Sequence, residues 1–264
     1  MENFKFKKSF GQNFLQDQNI IKNIVNKTDI LPNSLVIEVG PGSGALTKEL
    51  ANVSKNVLCY EIDTRLEETL DENLRDYHNI DIIYDDFLNR DIKNDIKNYN
   101  YDNIYFVANI PYYITTPIIL KLIASKIDFK AITVMIQKEV AERFSAHVKT
   151  KDYSSITVFL NYYYDIEKLL EVSRNCFVPK PNVDSMVIAL REKKEKYQVN
   201  NEDLFFKLIR DSFKFKRKNI RNNLKNYDLK KVEEVLKKHN HDLTSRAEEL
   251  ELIVFVDLAN ELNK

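Results

Sequence analysis

Short apolar segments alternate with longer amphipathic segments over the first two-thirds of the chain. Segments with helical periodicity lie between the apolar ones, at residues 45–53, 64–74, 116–125 and 138–146. This alternation predicts an α/β fold built on a mostly parallel sheet. No helical segment separates the last two apolar segments, which predicts an antiparallel hairpin at the sheet edge. The apolar segments predicted as strands are residues 35–39, 57–62, 80–84, 104–108, 131–136, 156–163 and 184–191.

Beyond residue 195 the hydrophobic pattern is helical only, with helices predicted at residues 204–215, 229–238 and 251–262. A domain boundary is therefore predicted near that residue. Residues 1–195 are expected to form an α/β domain, and residues 196–264 a small helical domain.

The composition describes a globular protein without a strong overall charge. Forty basic and forty acidic residues cancel, so any nucleic-acid binding has to come from local clusters. Cys59 and Cys176 are far apart and lack the spacing of a metal site, so no metal is expected and both are interpreted as reduced thiols. The N-terminus lacks an apolar signal segment, and no long heptad pattern is present. A cytoplasmic monomer is expected.

The chain contains only four glycines, and three of them, Gly40, Gly42 and Gly44, lie between the first predicted strand and the first predicted helix. Because proteins contain about 7% glycine on average, the retained glycines indicate positions that cannot carry a side chain. A strand, a tight glycine turn and a helix N-terminus are typical of a nucleotide-binding corner. The spacing is neither that of a phosphate loop nor that of the dinucleotide fingerprint. A purely structural tight turn is the alternative.

Acidic residues follow the next two predicted strands. Glu61 comes about twenty residues after the glycines, where a carboxylate can accept both ribose hydroxyls of a nucleoside. Asp86 follows the third strand beside Phe87, which suits an adenine whose amino group is bound and whose face is covered. Three successive strand ends thus indicate one adenosine. For Glu61, a solvated charge at the end of a strand is the alternative interpretation.

The fourth strand is followed by Asn109-Ile-Pro-Tyr112, which suits methyl transfer to an exocyclic adenine amine. Such an amine is a poor nucleophile, because its lone pair is delocalised into the ring. Two acceptors, the side-chain oxygen of Asn109 and the carbonyl of Ile110, would favour a pyramidal nitrogen with a localised lone pair. Pro111 would fix that carbonyl, and Tyr112 would stack on the base. The amine would then attack a methyl sulfonium in line. An ordinary strand-to-helix turn is the alternative.

With these motifs the chain resembles the ribosomal RNA adenine N6-dimethyltransferases of the KsgA type over nearly its whole length. Ser9-Phe-Gly-Gln-Asn-Phe-Leu15, which includes Gly11, is similar to the family's N-terminal motif, and Cys176-Phe-Val-Pro-Lys-Pro-Asn-Val-Asp-Ser185 to a later one. The resemblance implies a Rossmann-like class I methyltransferase sheet, a small C-terminal all-helical domain that binds RNA, and S-adenosyl-L-methionine as cofactor. It implies Asn109, Tyr112 and Phe177 as catalytic residues. The cofactor-binding residues that it implies are Asn13, Leu15, Gly40, Glu61, Asp86 and Asn109.

The resemblance also implies a role for Phe177, and the chain departs from the family pattern at two positions. Phe177 would stack on the target adenine opposite Tyr112, although without the family it reads as one more core aromatic. Tyr113 and Thr115 stand where relatives often have Asn and Ser, a departure that is not expected to change the chemistry.

The C-terminal region favours one branch of this family. Phe213-Lys-Phe-Lys-Arg-Lys-Asn-Ile-Arg-Asn-Asn-Leu224 and Ser245-Arg-Ala-Glu-Glu-Leu250 are similar to the housekeeping enzymes, which implies dimethylation of adjacent adenosines in a 3′-terminal hairpin loop of small-subunit (16S) ribosomal RNA and a role in ribosome biogenesis. The expected partner is that RNA or a 30S precursor particle. The alternatives are an Erm-type enzyme of large-subunit RNA and an assembly checkpoint factor that acts mainly by binding.

Local charge supports RNA binding. Between Phe205 and Lys225 there are eight Lys or Arg residues and a single acid, Asp211. Such a patch suits an RNA backbone and would bind it in a salt-dependent way. A solvated helix face is the alternative. A second basic cluster, Lys5, Lys7 and Lys8, could also contact RNA or be a frayed tail.

Overall fold

A computed structural model of the protein describes residues 13–264, which form two compact units. The first unit contains the chain up to Ala141 together with Glu167–Glu192, and the second contains Glu142–Ile166 together with Lys193–Lys264. The predicted N-terminal features Ser9 to Gln12 and the basic cluster of Lys5, Lys7 and Lys8 lie outside the described residues.

The strands of the described chain form one large sheet and one short ribbon. They are β1 (Phe14–Leu15), β2 (Ser34–Val39), β3 (Asn56–Tyr60), β4 (Ile80–Ile83), β5 (Asn103–Asn109), β6 (Ala131–Gln137), β7 (Tyr164–Val172), β8 (Phe177–Val178) and β9 (Ser185–Glu192). The seven-stranded sheet has the order β4-β3-β2-β5-β6-β9-β7, while β1 and β8 form a separate antiparallel ribbon.

The helices fall between the strands in the first unit and follow one another in the second. They are α1 (Gln18–Thr28), α2 (Ala45–Val53), α3 (Glu67–Leu74), α4 (Ile92–Ile96), α5 (Thr115–Ala124), α6 (Lys138–Phe144), α7 (Ser155–Tyr163), α8 (Glu202–Ser212), α9 (Ile220–Asn223), α10 (Leu229–Lys238) and α11 (Leu252–Leu262). Within the described residues, no helix is long and apolar enough to cross a membrane.

The sheet confirms the predicted α/β class. β2 pairs in parallel with β3 on one side and β5 on the other, and β6 extends the parallel part from β5. β2, β5 and β6 are buried almost throughout, as expected of strands covered on both faces. Because the strand order changes direction between β2 and β5, ligands are expected in the crevice outside the carboxyl ends of these two strands.

The end of the sheet differs from the prediction. β9 is antiparallel to β6, as expected of an added strand, but residues 156–163 form the helix α7 and not a strand. The neighbour of β9 at the sheet edge is β7, which the sequence pattern does not mark. The prediction of a strand at residues 156–163 is therefore wrong. Its β-branched and aromatic residues pack as a helix among other aromatic side chains, and that packing outweighs their strand propensity.

Aromatic packing defines the second unit. The ring of Tyr162 on α7 lies 4.8 Å from that of Phe205 on α8, and Phe159 lies 4.9 Å from Phe206. α7 therefore groups with the C-terminal helices, whereas the predicted boundary at residue 195 left this segment in the first domain. The functional assignment of the two domains stays a prediction.

Hydrogen bonds at the start of α7 explain why the helix begins there. The Oγ1 atom of Thr157 accepts the N–H of Ser154 at 3.1 Å and donates to the carbonyl of Arg143 at 2.7 Å. Thr157 is fully buried, so water cannot replace these bonds. The hydroxyl of Thr157 therefore fixes the N-terminus of α7 against the preceding segment.

Replacing Thr157 with valine is expected to lower the free energy of unfolding by about 2 kcal/mol, because the N–H of Ser154 and the carbonyl of Arg143 lose partly buried hydrogen bonds while the shape is conserved. Urea unfolding checks the value. Thr157→Ser is the matched control, since it keeps the hydroxyl and loses one methyl group. If valine proved no more destabilising than serine, the hydroxyl would not be what holds α7.

Candidate functional site

The three clustered glycines form the turn between β2 and α2, and all have positive φ angles: +74° for Gly40, +60° for Gly42 and +80° for Gly44. Residues with a side chain rarely adopt this conformation. A Cβ at Gly42 would lie 2.6 Å from the ring of Phe14, and one at Gly44 would lie 2.9 Å from Leu74. At Gly40 an added Cβ would meet nothing within 4 Å. The first glycine thus borders open space, while the other two allow close packing.

Replacing Gly42 with alanine is expected to lower the free energy of unfolding by about 2 kcal/mol, since the strained φ and the contact with Phe14 add. Gly40→Ala is the matched control, because it carries the strain without the contact and should cost about 1 kcal/mol. Thermal unfolding compares the two. If the contact is the cause, Phe14→Leu should reduce the difference between the variants. An equal loss in both variants would show that only φ matters.

Glu61 links the end of β3 to the glycine turn. Its side chain accepts the N–H of Gly42 at 3.3 Å and that of Asp63 at 2.9 Å. The residue is 4% exposed, and this burial raises the pKa of the carboxyl above its ordinary value. The carboxylate therefore sits beside the turn as a desolvated acceptor, where hydrogen bonds to it are stronger than in water.

Glu38 is a site residue that the sequence analysis did not select. It lies on β2, two residues before Gly40, and lines the same cavity as Glu61. Burial raises the pKa of its carboxyl from 4.5 to about 7, and the Cys59 thiol on the adjacent strand lies 3.6 Å from one carboxyl oxygen. A single acid inside an otherwise apolar strand directly before the glycines was the signal that could have identified it.

Asp86 follows β4 and caps a short helical turn at Phe87–Asn89. Its Oδ1 atom accepts the N–H of Leu88 at 2.9 Å, and its Oδ2 atom accepts from the side chain of Asn89 at 3.3 Å. These bonds fix the carboxylate at the cavity wall, next to the buried ring of Phe87. Each carboxylate oxygen has two lone pairs, so Asp86 retains acceptor capacity for a ligand.

Asn109, the last residue of β5, is held by one hydrogen bond that determines its orientation. Its Nδ2 atom donates to the backbone carbonyl of Asn13 at 3.0 Å. Within residues 13–264, the Oδ1 atom has no hydrogen-bond partner, and Asn109 lines the cavity, so this oxygen can still accept a hydrogen bond. In the turn that follows, the N–H of Ile114 donates to the carbonyl of Pro111 at 3.1 Å. The hydrogen bond that closes this turn therefore does not use the Ile110 carbonyl.

Tyr112 and Phe177, the two predicted stacking residues, have different environments. The hydroxyl of Tyr112 lies 2.7 Å from the Oγ of Ser185, a fully buried residue at the start of β9, and the ring borders the cavity. Phe177 pairs with Leu15 in the β1–β8 ribbon, is 2% exposed and does not border the cavity. In this conformation a base could stack on Tyr112 but not on Phe177. The stacking role of Phe177 stays a prediction.

One cavity therefore gathers most of the predicted residues at the carboxyl ends of β2, β3, β4 and β5, as the strand order requires. The residues that line the cavity fit a nucleoside cofactor with a charged sulfur. The backbone is open at Gly40, Glu38 and Glu61 provide buried acceptors, and the other walls are mostly apolar. Tyr113 also borders the cavity, whereas Thr115 is buried without lining it. The predicted residues that line the cavity are Asn13, Leu15, Gly40, Glu61, Asp86, Asn109 and Tyr112.

Comparison with known proteins identifies the family. Residues 3–264 match the sequence profile described as ribosomal RNA adenine dimethylase. The chain belongs to this family. The ribosomal RNA adenine dimethylases use S-adenosyl-L-methionine, so the cofactor and the enzyme class predicted from the sequence are confirmed.

Two similar proteins from different bacteria carry the same name. The chain is 43% identical to the ribosomal RNA small subunit methyltransferase A of Clostridium botulinum (strain Loch Maree / Type A3), over 97% of this chain and 94% of that protein. It is 44% identical to the protein of the same name from Staphylococcus aureus (strain JH9), over 99% of this chain and 91% of that protein. These identities favour the housekeeping branch of the dimethylase family over the Erm branch.

Solved structures agree with the dimethylase fold. A dimethyladenosine transferase from Plasmodium falciparum superposes with a TM-score of 0.81 at 27% identity, over 95% of this chain and 97% of that one. The 23S rRNA methyltransferase ErmE superposes with a TM-score of 0.76 at 28% identity, over 96% and 100% of the two chains. A dimethyladenosine transferase and an Erm enzyme thus share this architecture at nearly equal identity, so the fold alone does not distinguish the two branches.

Proposed function

We propose that this dimethylase transfers two methyl groups from S-adenosyl-L-methionine to N6 of each of two adjacent adenosines in the 3′-terminal hairpin loop of small-subunit ribosomal RNA. The similar proteins named ribosomal RNA small subunit methyltransferase A support this choice of RNA. We further propose that the enzyme acts on 30S precursor particles, as a monomer in the cytoplasm, and that its action contributes to ribosome biogenesis.

The orientation of Asn109 carries the proposal. Because Nδ2 is engaged by the Asn13 carbonyl, the oxygen is the atom that remains to receive a proton donor in the cavity. An adenine amine has two N–H groups, and the Ile110 carbonyl would receive the second one. Both acceptors favour the pyramidal nitrogen that can act as a nucleophile. The site needs no strong base for this step, because positioning contributes most of the acceleration.

The remaining residues would hold the two reactants. Glu61 would accept the ribose hydroxyls of the cofactor, Asp86 its adenine amine, and Gly40 would allow the backbone to approach it. S-adenosyl-L-methionine supplies a methyl group on a positively charged sulfur. The bond from Tyr112 to Ser185 fixes the ring on which the target base would stack, so the base enters a preset plane. The target has to leave its own stack to reach this plane, which favours a loop or single strand.

A transfer assay tests the proposal. Labelled methyl groups from S-adenosyl-L-methionine are offered to unmethylated small-subunit particles and, in parallel, to naked large-subunit RNA, and the product nucleosides are analysed. Dimethyladenosine in the small-subunit sample alone is the expected result. Label in large-subunit RNA would assign the chain to the Erm type. Label in neither, with binding to the particle retained, would favour the assembly checkpoint role.

A further inference from the structure

The turn between α8 and α9 presents an exposed aromatic ring. Phe215 is 55% exposed, and within the described part of the second unit it is the only large hydrophobic side chain with such exposure. Phe213, two residues earlier, packs its ring 5.8 Å from Phe255 and 6.0 Å from Tyr153. The predicted helix at residues 204–215 ends instead at Ser212, and this early end directs the second ring outwards. Single exposed apolar side chains are common on protein surfaces, so the meaning of this ring depends on the groups beside it.

Asn223 on α9 holds the turn in one conformation. Its Oδ1 atom accepts the N–H of Phe215 at 3.2 Å. Its Nδ2 atom lies 2.7 Å from the carbonyl of Ser212, 3.3 Å from that of Lys218 and 3.4 Å from that of Phe215. A direct bond from the N–H of Lys218 to the carbonyl of Phe215 at 2.8 Å closes the turn. The ring is therefore presented by a preorganised backbone, which lowers the entropic cost of binding.

Positively charged residues lie on both sides of Phe215 in the sequence. Lys214, Lys216, Arg217 and Lys218 are all exposed, and the Nζ atom of Lys214 lies 5.6 Å from the ring centroid of Phe215. Within residues 13–264, none of these four side chains forms an ion pair with Asp or Glu, although the Nζ atom of Lys216 donates to the backbone carbonyl of Lys151 at 2.6 Å. Cations without acidic partners beside an exposed aromatic ring match a nucleic-acid strand, which offers phosphates and the faces of unpaired bases.

We propose that Phe215 is a stacking platform for an unpaired nucleobase of the RNA, with the cations of residues 214–218 against the neighbouring phosphates. The proposal rests on the RNA substrate given above and deepens it. The stacked base is a second one, distinct from the adenosine in the cavity, because Phe215 is not among the residues that line the cavity. A double helix buries its base faces, so the platform would prefer single-stranded RNA.

Tryptophan fluorescence provides a direct test, because the chain contains no tryptophan. In the full-length Phe215→Trp variant, a base stacked on the indole quenches its emission. The probes are a short single-stranded oligoadenylate and a hairpin duplex with the same number of phosphates. We expect quenching by the single strand and little by the duplex. Equal quenching by both, or none by either, would overturn the proposal. Val53→Trp, at an exposed position of the first unit, is the matched control and should not respond.

Binding affinities separate stacking from general hydrophobic contact. We expect Phe215→Ala and Phe215→Leu to weaken binding of the single strand about tenfold, and Phe215→Tyr to keep it, because stacking requires an aromatic face. Asn223→Ala should also weaken binding, since the turn loses its support. If Phe215→Leu bound the single strand as tightly as the unaltered protein, the stacking proposal would be wrong.

Methyl transfer to small-subunit particles is measured with the unaltered protein at the same time. Quenching by the single strand without any dimethyladenosine product would support the Phe215 platform and contradict the proposed reaction. Normal product formation without quenching at position 215 would contradict the Phe215 platform and support the proposed reaction.

Discussion

Replacing Asn109 with alanine is expected to lower the kcat of methyl transfer by about 10²- to 10³-fold, the loss typical of removing one preorganised polar group that acts in the transition state. The variant loses the acceptor that would localise the lone pair of the amine. Cofactor binding should change much less, because Glu61 and Asp86 remain. Single-turnover transfer to small-subunit particles gives the rate, and equilibrium dialysis with the cofactor gives its affinity.

The matched control lies on the same strand. Asn103 is the first residue of β5, at the end away from the cavity, and Asn103→Ala should leave the rate unchanged. A second variant, Asn109→Asp, keeps an acceptor at this position but loses the hydrogen bond to the Asn13 carbonyl. Its rate of methyl transfer should therefore lie between those of Asn109→Ala and the unaltered protein. Near-normal turnover in Asn109→Ala would show that the amine is activated by another group.

Replacing Glu38 with glutamine is expected to remove a pH-dependent loss of stability. The folded protein holds a proton on Glu38 up to about pH 7, whereas the ordinary pKa is 4.5. Between these values the folded state binds the proton and the unfolded state has lost it, so the free energy of unfolding falls as the pH rises. Above pH 7 the proton on Glu38 no longer stabilises the folded state, and the free energy of unfolding has fallen by about 3 kcal/mol.

Urea unfolding at pH 5 and pH 8 measures the effect. The unaltered protein should lose more stability between these pH values than Glu38→Gln does, because glutamine cannot titrate. Glu68→Gln, an exposed position on α3, is the control for removing a carboxylate and should follow the unaltered protein. Identical pH profiles for Glu38→Gln and the unaltered protein would show that the burial of this carboxyl is not coupled to folding.

The glycine corner was predictable because local and long-range requirements agree there. The helix predicted at residues 45–53 matches α2, and the preceding glycines have the positive φ angles that their retention indicated. Residues that follow parallel strands meet at one edge of the sheet, so Glu61, Asp86 and Asn109 could be placed together from the pattern alone.

The end of the sheet was not predictable from local pattern. Residues 156–163 have the β-branched and aromatic composition of a strand. The hydrogen bond to Thr157 and the packing against aromatic residues of α8 nevertheless stabilise a helix. β7 is missed because it lies at a sheet edge and carries charged residues on exposed positions, so it lacks a clean apolar period. The burial of Phe177 was not predictable either, since sequence motifs do not report whether a ring faces a cavity or a core, and its stacking role stays a prediction.

The strand order also determines when the protein can complete its core during synthesis. β6 ends at Gln137, yet its antiparallel partner β9 is finished only at Glu192, after α7 and β7 have been made. A ribosome adds about 5–20 residues per second, so the apolar edge of β6 stays unpaired for seconds. Free edges of this kind pair with other chains. The nascent protein is therefore prone to aggregate during this time. The risk ends when β9 pairs with β6 and β7 and covers the free edge.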